Sequence, residues 1–104
     1  MFESLKKLLG FGPKVDFLKL IKTGAIVVDV RTKEEYKTGN IKKSINIPLH
    51  VLQNNLSKIK KDKTIITCCA SGMRSNSAKN ILLSNGYTNV YNGGGWTRLN
   101  SKIN

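Results

Sequence analysis

The sequence is poor in acidic residues, with six Asp and Glu against eighteen Lys and Arg, a net charge of +12. It has only two cysteines, two prolines and one histidine. So few cysteines exclude a disulfide-stabilised scaffold, and one histidine adds too little to complete a zinc site. No apolar run approaches the about 20 residues of a transmembrane helix. We therefore expect no membrane span, no metal and no cofactor.

The 104 residues suffice for one small domain, and 39% of them are hydrophobic, as is typical of globular chains. We interpret residues 1–12 as an N-terminal amphipathic extension and residues 13–104 as a single domain. Lysines interrupt the apolar residues of the extension, which is unlike a signal peptide. The expected location is cytoplasmic.

Most of the cations are lysines, and they are scattered along the chain except for a run within residues 58–63. Abundant Asn and Ile accompany them, a mixture typical of an AT-rich genome. No helix-turn-helix, zinc finger or aromatic-basic platform is present. We expect no specific nucleic-acid partner and no membrane partner, but a positive chain attracts small anions.

Short apolar runs alternate with segments of helical spacing. The predicted strands are 25–30, 44–47, 64–68 and 88–91, and the predicted helices are 15–22, 33–37, 49–59 and 75–85. Thr32 and Glu35 have the spacing of a capping box. Since the chain ends soon after Trp96, any last helix should be very short. Alternating strands and helices predict an α/β fold, with a mostly parallel sheet of four to five strands covered on both faces.

Cys69 opens a loop, residues 69–75, between the third predicted strand and a helix; it reads Cys-Ala-Ser-Gly-Met-Arg-Ser. In parallel α/β sheets, ligands bind at the carboxyl ends of strands. Gly72 permits a tight curl with positive φ. Such a loop turns N–H groups inward and forms an anion cradle at a helix N-terminus. A thiolate there is stabilised, so its pKa should fall below about 8.5, and Arg74 adds a positive charge at the rim.

This loop resembles the Cys-x-x-Gly-x-Arg-Ser loop of single-domain rhodaneses, and three other segments resemble that family in order and spacing. They are Asp29-Val30-Arg31 with Glu35-Tyr36, Gly39-Asn40-Ile41 with Ile45-Asn46-Ile47-Pro48, and Tyr91-Asn92-Gly93-Gly94. The resemblance covers about residues 14–98 and implies the rhodanese-like fold. Asn40 replaces a frequent His of the family, at a position we interpret as structural. The glycines before Trp96 are more closely spaced to it than is usual.

The resemblance implies a thiosulfate sulfurtransferase-like enzyme, whose partners are a small anionic sulfur donor and a thiol or cyanide acceptor. A protein sulfur acceptor is a further candidate. Carried over by residue, Cys69 is the nucleophile and persulfide carrier, and Arg74 helps to bind the donor. Asp29 and Arg31 are interpreted as supporting residues that orient loops, with a role in the chemistry as the alternative. The implied substrate-binding residues are Ala70, Ser71, Gly72, Met73, Arg74 and Ser75.

Alternatives remain open. A persulfide carrier, or a rhodanese-fold binding module for one protein partner, could use the same loop. Cysteine phosphatases and arsenate reductases place five residues between Cys and Arg, whereas four separate Cys69 from Arg74, and this tighter loop favours sulfur over phosphoryl. Cys68 points to the other side of its strand and is interpreted as core, with a resolving thiol as the alternative. His50 is expected at the surface, and Trp96 in the core or a lid.

Overall fold

The structure, a computed structural model, describes residues 14–104 and contains one sheet of four parallel strands in the order β2-β1-β3-β4. The strands are β1 Ile26–Asp29, β2 Ile45–Asn46, β3 Ile65–Cys69 and β4 Val90–Gly95. The central strands β1 and β3 are almost wholly buried, which explains their β-branched composition. The predicted parallel sheet is confirmed. The N-terminal extension predicted over residues 1–12 lies outside the described residues.

Helices cover both faces of the sheet, as predicted. They are α1 Phe17–Lys22, α2 Lys33–Lys37, α3 Leu49–Leu52 with a 3₁₀ helix Gln53–Lys58 after it, α4 Met73–Ser84 and α5 Trp96–Ile103. Phe17 of α1 and Leu99 of α5 pack in a core cluster on one face. Leu52 of α3 and Leu82 of α4 pack in a second cluster on the other. Within residues 14–104, no helix is long and apolar enough to cross a bilayer.

The predicted helix 33–37 is confirmed, together with the capping box between Thr32 and Glu35. The single helix predicted over 49–59 is wrong, because Asn55 has φ −125° and the segment divides into α3 and a 3₁₀ helix. The Asn55 side-chain amide donates to the Val51 carbonyl at 2.7 Å. An asparagine that binds nearby backbone competes with regular helical hydrogen bonding.

The prediction for the fourth strand was also wrong, because β4 continues through the glycines to Gly95. A Cβ atom at Gly93 would lie 2.8 Å from the Leu99 side chain and 2.8 Å from the Thr67 carbonyl oxygen. Gly93 is therefore a strand residue against which β3 and α5 pack closely. The last helix is eight residues long rather than very short.

Candidate active site

Cys69 is the last residue of β3, and the polypeptide turns from it directly into α4. The helix begins at Met73, two residues earlier than the sequence predicted, with Gly72 as its N-cap at φ +106°. That left-handed conformation suits glycine. The Gly72 N–H lies 3.0 Å from Cys69 Sγ, and the Ser75 N–H lies 3.3 Å from it. The predicted inward turn of the loop amides is therefore present around the sulfur.

The environment of Cys69 has two opposing effects on its thiol. Burial raises the pKa, but hydrogen bonds from the Ser75 side chain and from the backbone of Ser75, Gly72 and Ser71 outweigh it. The net result is a pKa below the ordinary cysteine value. Hydrogen bonds to the charged form stabilise it, and activation here requires no histidine.

Ser75 is fully buried and places its hydroxyl beside the sulfur. The Cys69 thiol donates to Ser75 Oγ at 3.5 Å. The same hydroxyl lies 2.6 Å from Asn92 Oδ1 and 3.0 Å from the Gly72 carbonyl oxygen. In the sequence Asn92 stands in the Tyr91–Gly94 segment, and no local pattern there indicates that its amide reaches this loop from β4.

Arg74 lies at the rim of the loop and is paired with Glu35 of α2. Its Nη1 lies 2.7 Å from Oε1, and its Nη2 lies 2.9 Å from Oε2. The hydrogen bond from Arg74, followed by that of the Thr32 N–H, lowers the pKa of Glu35 to about 2. The spacing of Thr32 and Glu35 predicts the capping box but not this second contact of Glu35, which joins residues far apart in the chain.

Asp29 and Arg31 form a buried ion pair at the carboxyl end of β1, with 2.8 Å between Nη2 and Oδ2. Arg31 also donates to the carbonyl oxygens of Glu35 at 3.2 Å and Gly39 at 2.7 Å. Its guanidinium stacks on the Trp96 ring, 4.5 Å from the centroid. These contacts tie the end of β1 to α2 and to Gly39 after it, so the pair supports the helix whose Glu35 holds Arg74.

Cys68 lies on the opposite face of the sheet from Cys69. It packs in the cluster with Phe17 and Leu99, whereas Cys69 belongs to the other cluster. Burial, followed by the charge of Asp29, raises the pKa of the Cys68 thiol well above its ordinary value. These contacts support the interpretation of Cys68 as a core residue.

The remaining loop residues lie at the surface. Ala70 and Ser71 are exposed, and Met73 is 81% exposed. His50 is exposed on α3, as expected. Beside Arg74 is a cavity of about 240 Å³, also lined by Val30, Thr32, Pro48, Leu49 and His50. Among residues 14–104, no three His, Cys, Asp or Glu side chains are grouped closely enough to hold a metal ion.

Comparison with known proteins gives a consistent result. Residues 14–102 match the family model described as a rhodanese-like domain. The chain is 36% identical over 67 residues to a sulfurtransferase of Allochromatium vinosum, which covers 64% of this chain and 63% of that protein. It is 39% identical over 70 residues to the thiosulfate sulfurtransferase PspE of Escherichia coli, which covers 65% and 67%.

Among solved structures, the chain is similar to the human single-domain sulfurtransferase. The TM-score is 0.74 at 28% sequence identity, and the match covers 85% of this chain and 94% of that one. By contrast, the match to the Allochromatium vinosum protein spans less than two thirds of that relative's length.

Proposed function

The chain belongs to the rhodanese-like family, and from this membership we propose that it is a sulfurtransferase that carries sulfur as a persulfide on Cys69. The relatives named above are sulfurtransferases, one of them a thiosulfate sulfurtransferase. The observation that carries the proposal is the position of Cys69 Sγ within hydrogen-bonding distance of two backbone N–H groups, those of Gly72 and Ser75. Such amides stabilise negative charge on a reacting sulfur without a base.

The reaction proceeds in two displacements. First, the Cys69 thiolate attacks the outer sulfur of thiosulfate, the sulfur–sulfur bond of the donor breaks, and sulfite leaves with the electron pair. The enzyme then holds a negatively charged persulfide inside the loop. Second, cyanide or a thiolate attacks the terminal sulfur, forming thiocyanate or an acceptor persulfide, and the Cys69 thiolate is restored. Two separate half-reactions predict ping-pong kinetics.

The loop residues have distinct roles in this proposal. The backbone N–H groups from Ala70 to Arg74 surround the terminal sulfur of the persulfide. Ser75 hydrogen-bonds the cysteine sulfur itself. Arg74, at the mouth, attracts the anionic donor. The buried ion pair of Asp29 and Arg31 holds the rim in place, and we assign it no contact with the reacting atoms.

The size of the loop supports sulfur rather than phosphoryl transfer. The Ser75 amide lies 3.3 Å from Cys69 Sγ, and the Gly72 amide lies 3.0 Å from it. Four residues separate Cys69 from Arg74, one fewer than in cysteine phosphatases, and we infer that this shorter curl has room for one additional atom. A phosphoryl group brings three further oxygens and needs a wider ring of donors.

Mass spectrometry of the intact protein after incubation with thiosulfate tests the proposal. We expect the parent to gain one sulfur atom, and cyanide to remove it as thiocyanate. Cys69→Ser should gain none, whereas the matched control Cys68→Ser, altered at a buried thiol on the other face, should gain it normally. A gain of sulfur by the Cys69→Ser protein would contradict the proposal. Sulfur that leaves only when a particular protein is added identifies a dedicated carrier.

A further inference from the structure

The side chain of Asn92 connects β4 to the cysteine loop through both ends of its amide. Its Oδ1 accepts from the Ser75 hydroxyl at 2.6 Å and from the Gly94 N–H at 2.9 Å. Its Nδ2 donates to the Gly72 carbonyl oxygen at 3.4 Å. The contact occurs where the pairing of β3 and β4 shifts register, between Thr67 and Cys69. The shift gives β4 an additional residue at the level of the loop.

The Ser75 hydroxyl has one proton and three acceptors within reach. These acceptors are Asn92 Oδ1 at 2.6 Å, the Gly72 carbonyl oxygen at 3.0 Å and Cys69 Sγ at 3.5 Å. The shortest contact is with Asn92, so the proton lies on that side. In this arrangement Ser75 Oγ can only accept from the sulfur, which suits a protonated thiol. A thiolate needs the hydroxyl to rotate and donate.

We propose that Asn92 is a positioning residue for the nucleophile, and that it competes with Cys69 for the hydroxyl proton of Ser75. While the sulfur is a thiol, Asn92 holds the proton and the hydroxyl accepts from S–H. When the sulfur is charged, the hydroxyl turns toward it, and Asn92 Oδ1 keeps the hydrogen bond from Gly94. This inference rests on the proposed function, since it concerns the same sulfur, but it is tested independently of sulfur transfer.

The other charged or titratable groups near the sulfur are either paired with each other, buried on the opposite face or exposed. Arg74 on α4 is paired with Glu35 on α2. Asp29, the last residue of β1, is paired with Arg31, two residues beyond it. Cys68 lies on the opposite face of the sheet, and His50 is exposed on α3. Substitution of Asn92 by another neutral residue leaves all of these charges in place.

The competition predicts an effect of unusual sign. Asn92→Ala removes the nearer of the two competing acceptors and leaves only the Gly72 carbonyl oxygen at 3.0 Å, so the Ser75 hydroxyl donates more readily to the thiolate and the pKa of Cys69 should fall. A net hydrogen bond corresponds to a decrease of roughly one pH unit. Because a more stabilised thiolate is a weaker nucleophile, the limiting alkylation rate at high pH should fall two- to threefold, in order-of-magnitude terms. Ser75→Ala should raise the pKa instead.

A double-mutant cycle tests this idea through the rate of iodoacetamide alkylation against pH, with the modified cysteine located by peptide mass spectrometry. We expect Asn92→Ala to lower the pKa in the parent and to have little effect when Ser75 is already Ala. A merely structural role would give the same shift in both backgrounds, and that result overturns the inference. So does an unchanged or raised pKa in the Asn92→Ala protein.

Two further variants distinguish a specific effect on Cys69 from a general disturbance of the fold. Asn92→Asp keeps an acceptor for Ser75 and Gly94 but adds a negative charge, so it should raise the pKa of Cys69. If Asp and Ala shift the pKa in the same direction, the inference fails. Asn85→Ala, at the opposite end of α4 and bonded to Gln53, should leave the profile unchanged. Alkylation measures the thiol of Cys69 and requires no sulfur transfer. If the role of Asn92 is disproved, the persulfide proposal is unaffected. If the parent forms no persulfide, the double-mutant cycle can still be measured.

Discussion

The guanidinium of Arg74 and the carboxylate of Glu35 face each other end-on, with both nitrogen–oxygen distances below 3 Å. Both side chains are about one-third exposed, at 35% and 36%. Since Glu35 also accepts from the Thr32 N–H at 3.1 Å, one carboxylate both caps α2 and holds the rim of the cysteine loop. The charge of Arg74 is therefore already paired when an anionic donor arrives.

Freeing the guanidinium of Arg74 from its ion pair with Glu35 should strengthen binding of the anionic sulfur donor. We expect Glu35→Gln to lower KM for thiosulfate by roughly two- to fivefold, the range for a partly exposed ion pair, with little change in kcat. Gln preserves the capping box. Steady-state kinetics with thiosulfate and cyanide measure this. Glu34→Gln removes the same charge from an exposed position on α2 and should leave KM nearly unchanged; equal effects of the two variants would show that only net charge matters.

Glu35 should also make the free energy of unfolding depend on pH in the acid range. Its pKa is 4.5 when unperturbed and about 2 in the folded chain. A carboxyl with a lowered folded pKa contributes stability above its unfolded value, and that contribution is lost as pH falls toward the folded value. The parent should therefore lose more free energy of unfolding than Glu35→Gln between pH 4.5 and about 2. Denaturant titrations across this range measure it, and parallel curves would contradict it.

Local patterns in the sequence predicted much of the fold. The β-branched runs of β1 and β3 and the Thr32–Glu35 capping box depend on neighbours along the chain, and the structure confirms each. The predicted fourth strand ended before Gly93 because glycine is ordinarily depleted in strands. The close packing of Leu99 and Thr67, which leaves no room for a Cβ atom, explains the presence of glycine there.

The contacts that complete the candidate site could not be predicted from the sequence. Asn92 reaches Ser75 across the β3–β4 register shift, and Glu35 reaches Arg74 from another helix. Neither residue shares a local motif with its partner. A long-range polar contact of this kind depends on strand order and register, which one sequence does not specify.

Widening the cysteine loop should abolish sulfur transfer. Insertion of one Gly after Gly72 places five residues between Cys69 and Arg74 and moves the Ser75 N–H away from the sulfur. We expect no persulfide by mass spectrometry and a weak gain of aryl phosphate hydrolysis, limited because no general acid is evident. A Gly inserted after Asp62, in an exposed turn, is the control and should retain transfer. Normal transfer by the widened loop would show that loop size does not select the substrate.

Gly93→Ala should destabilise the domain by about 1–3 kcal/mol, the usual cost of overpacking. The added methyl group would meet Ile66, Leu99 and the Thr67 carbonyl oxygen at 2.8 Å. Gly24→Ala is the control, because Gly24 has φ +105° but no atom within 4 Å of a Cβ. That variant should lose only about 1 kcal/mol, from backbone conformation. Equal losses in urea unfolding would contradict a packing role for Gly93.

The sheet separates the two cysteines of this chain, and that separation determines how the protein responds to oxidants. A thiol oxidised to sulfenic acid is rescued when another thiol condenses with it. Cys68, the only other cysteine in the sequence, is behind the strand and buried in the opposite cluster. Cys68 is therefore not placed to condense with an oxidised Cys69, and we expect recovery from peroxide to depend on thiols supplied from outside this domain.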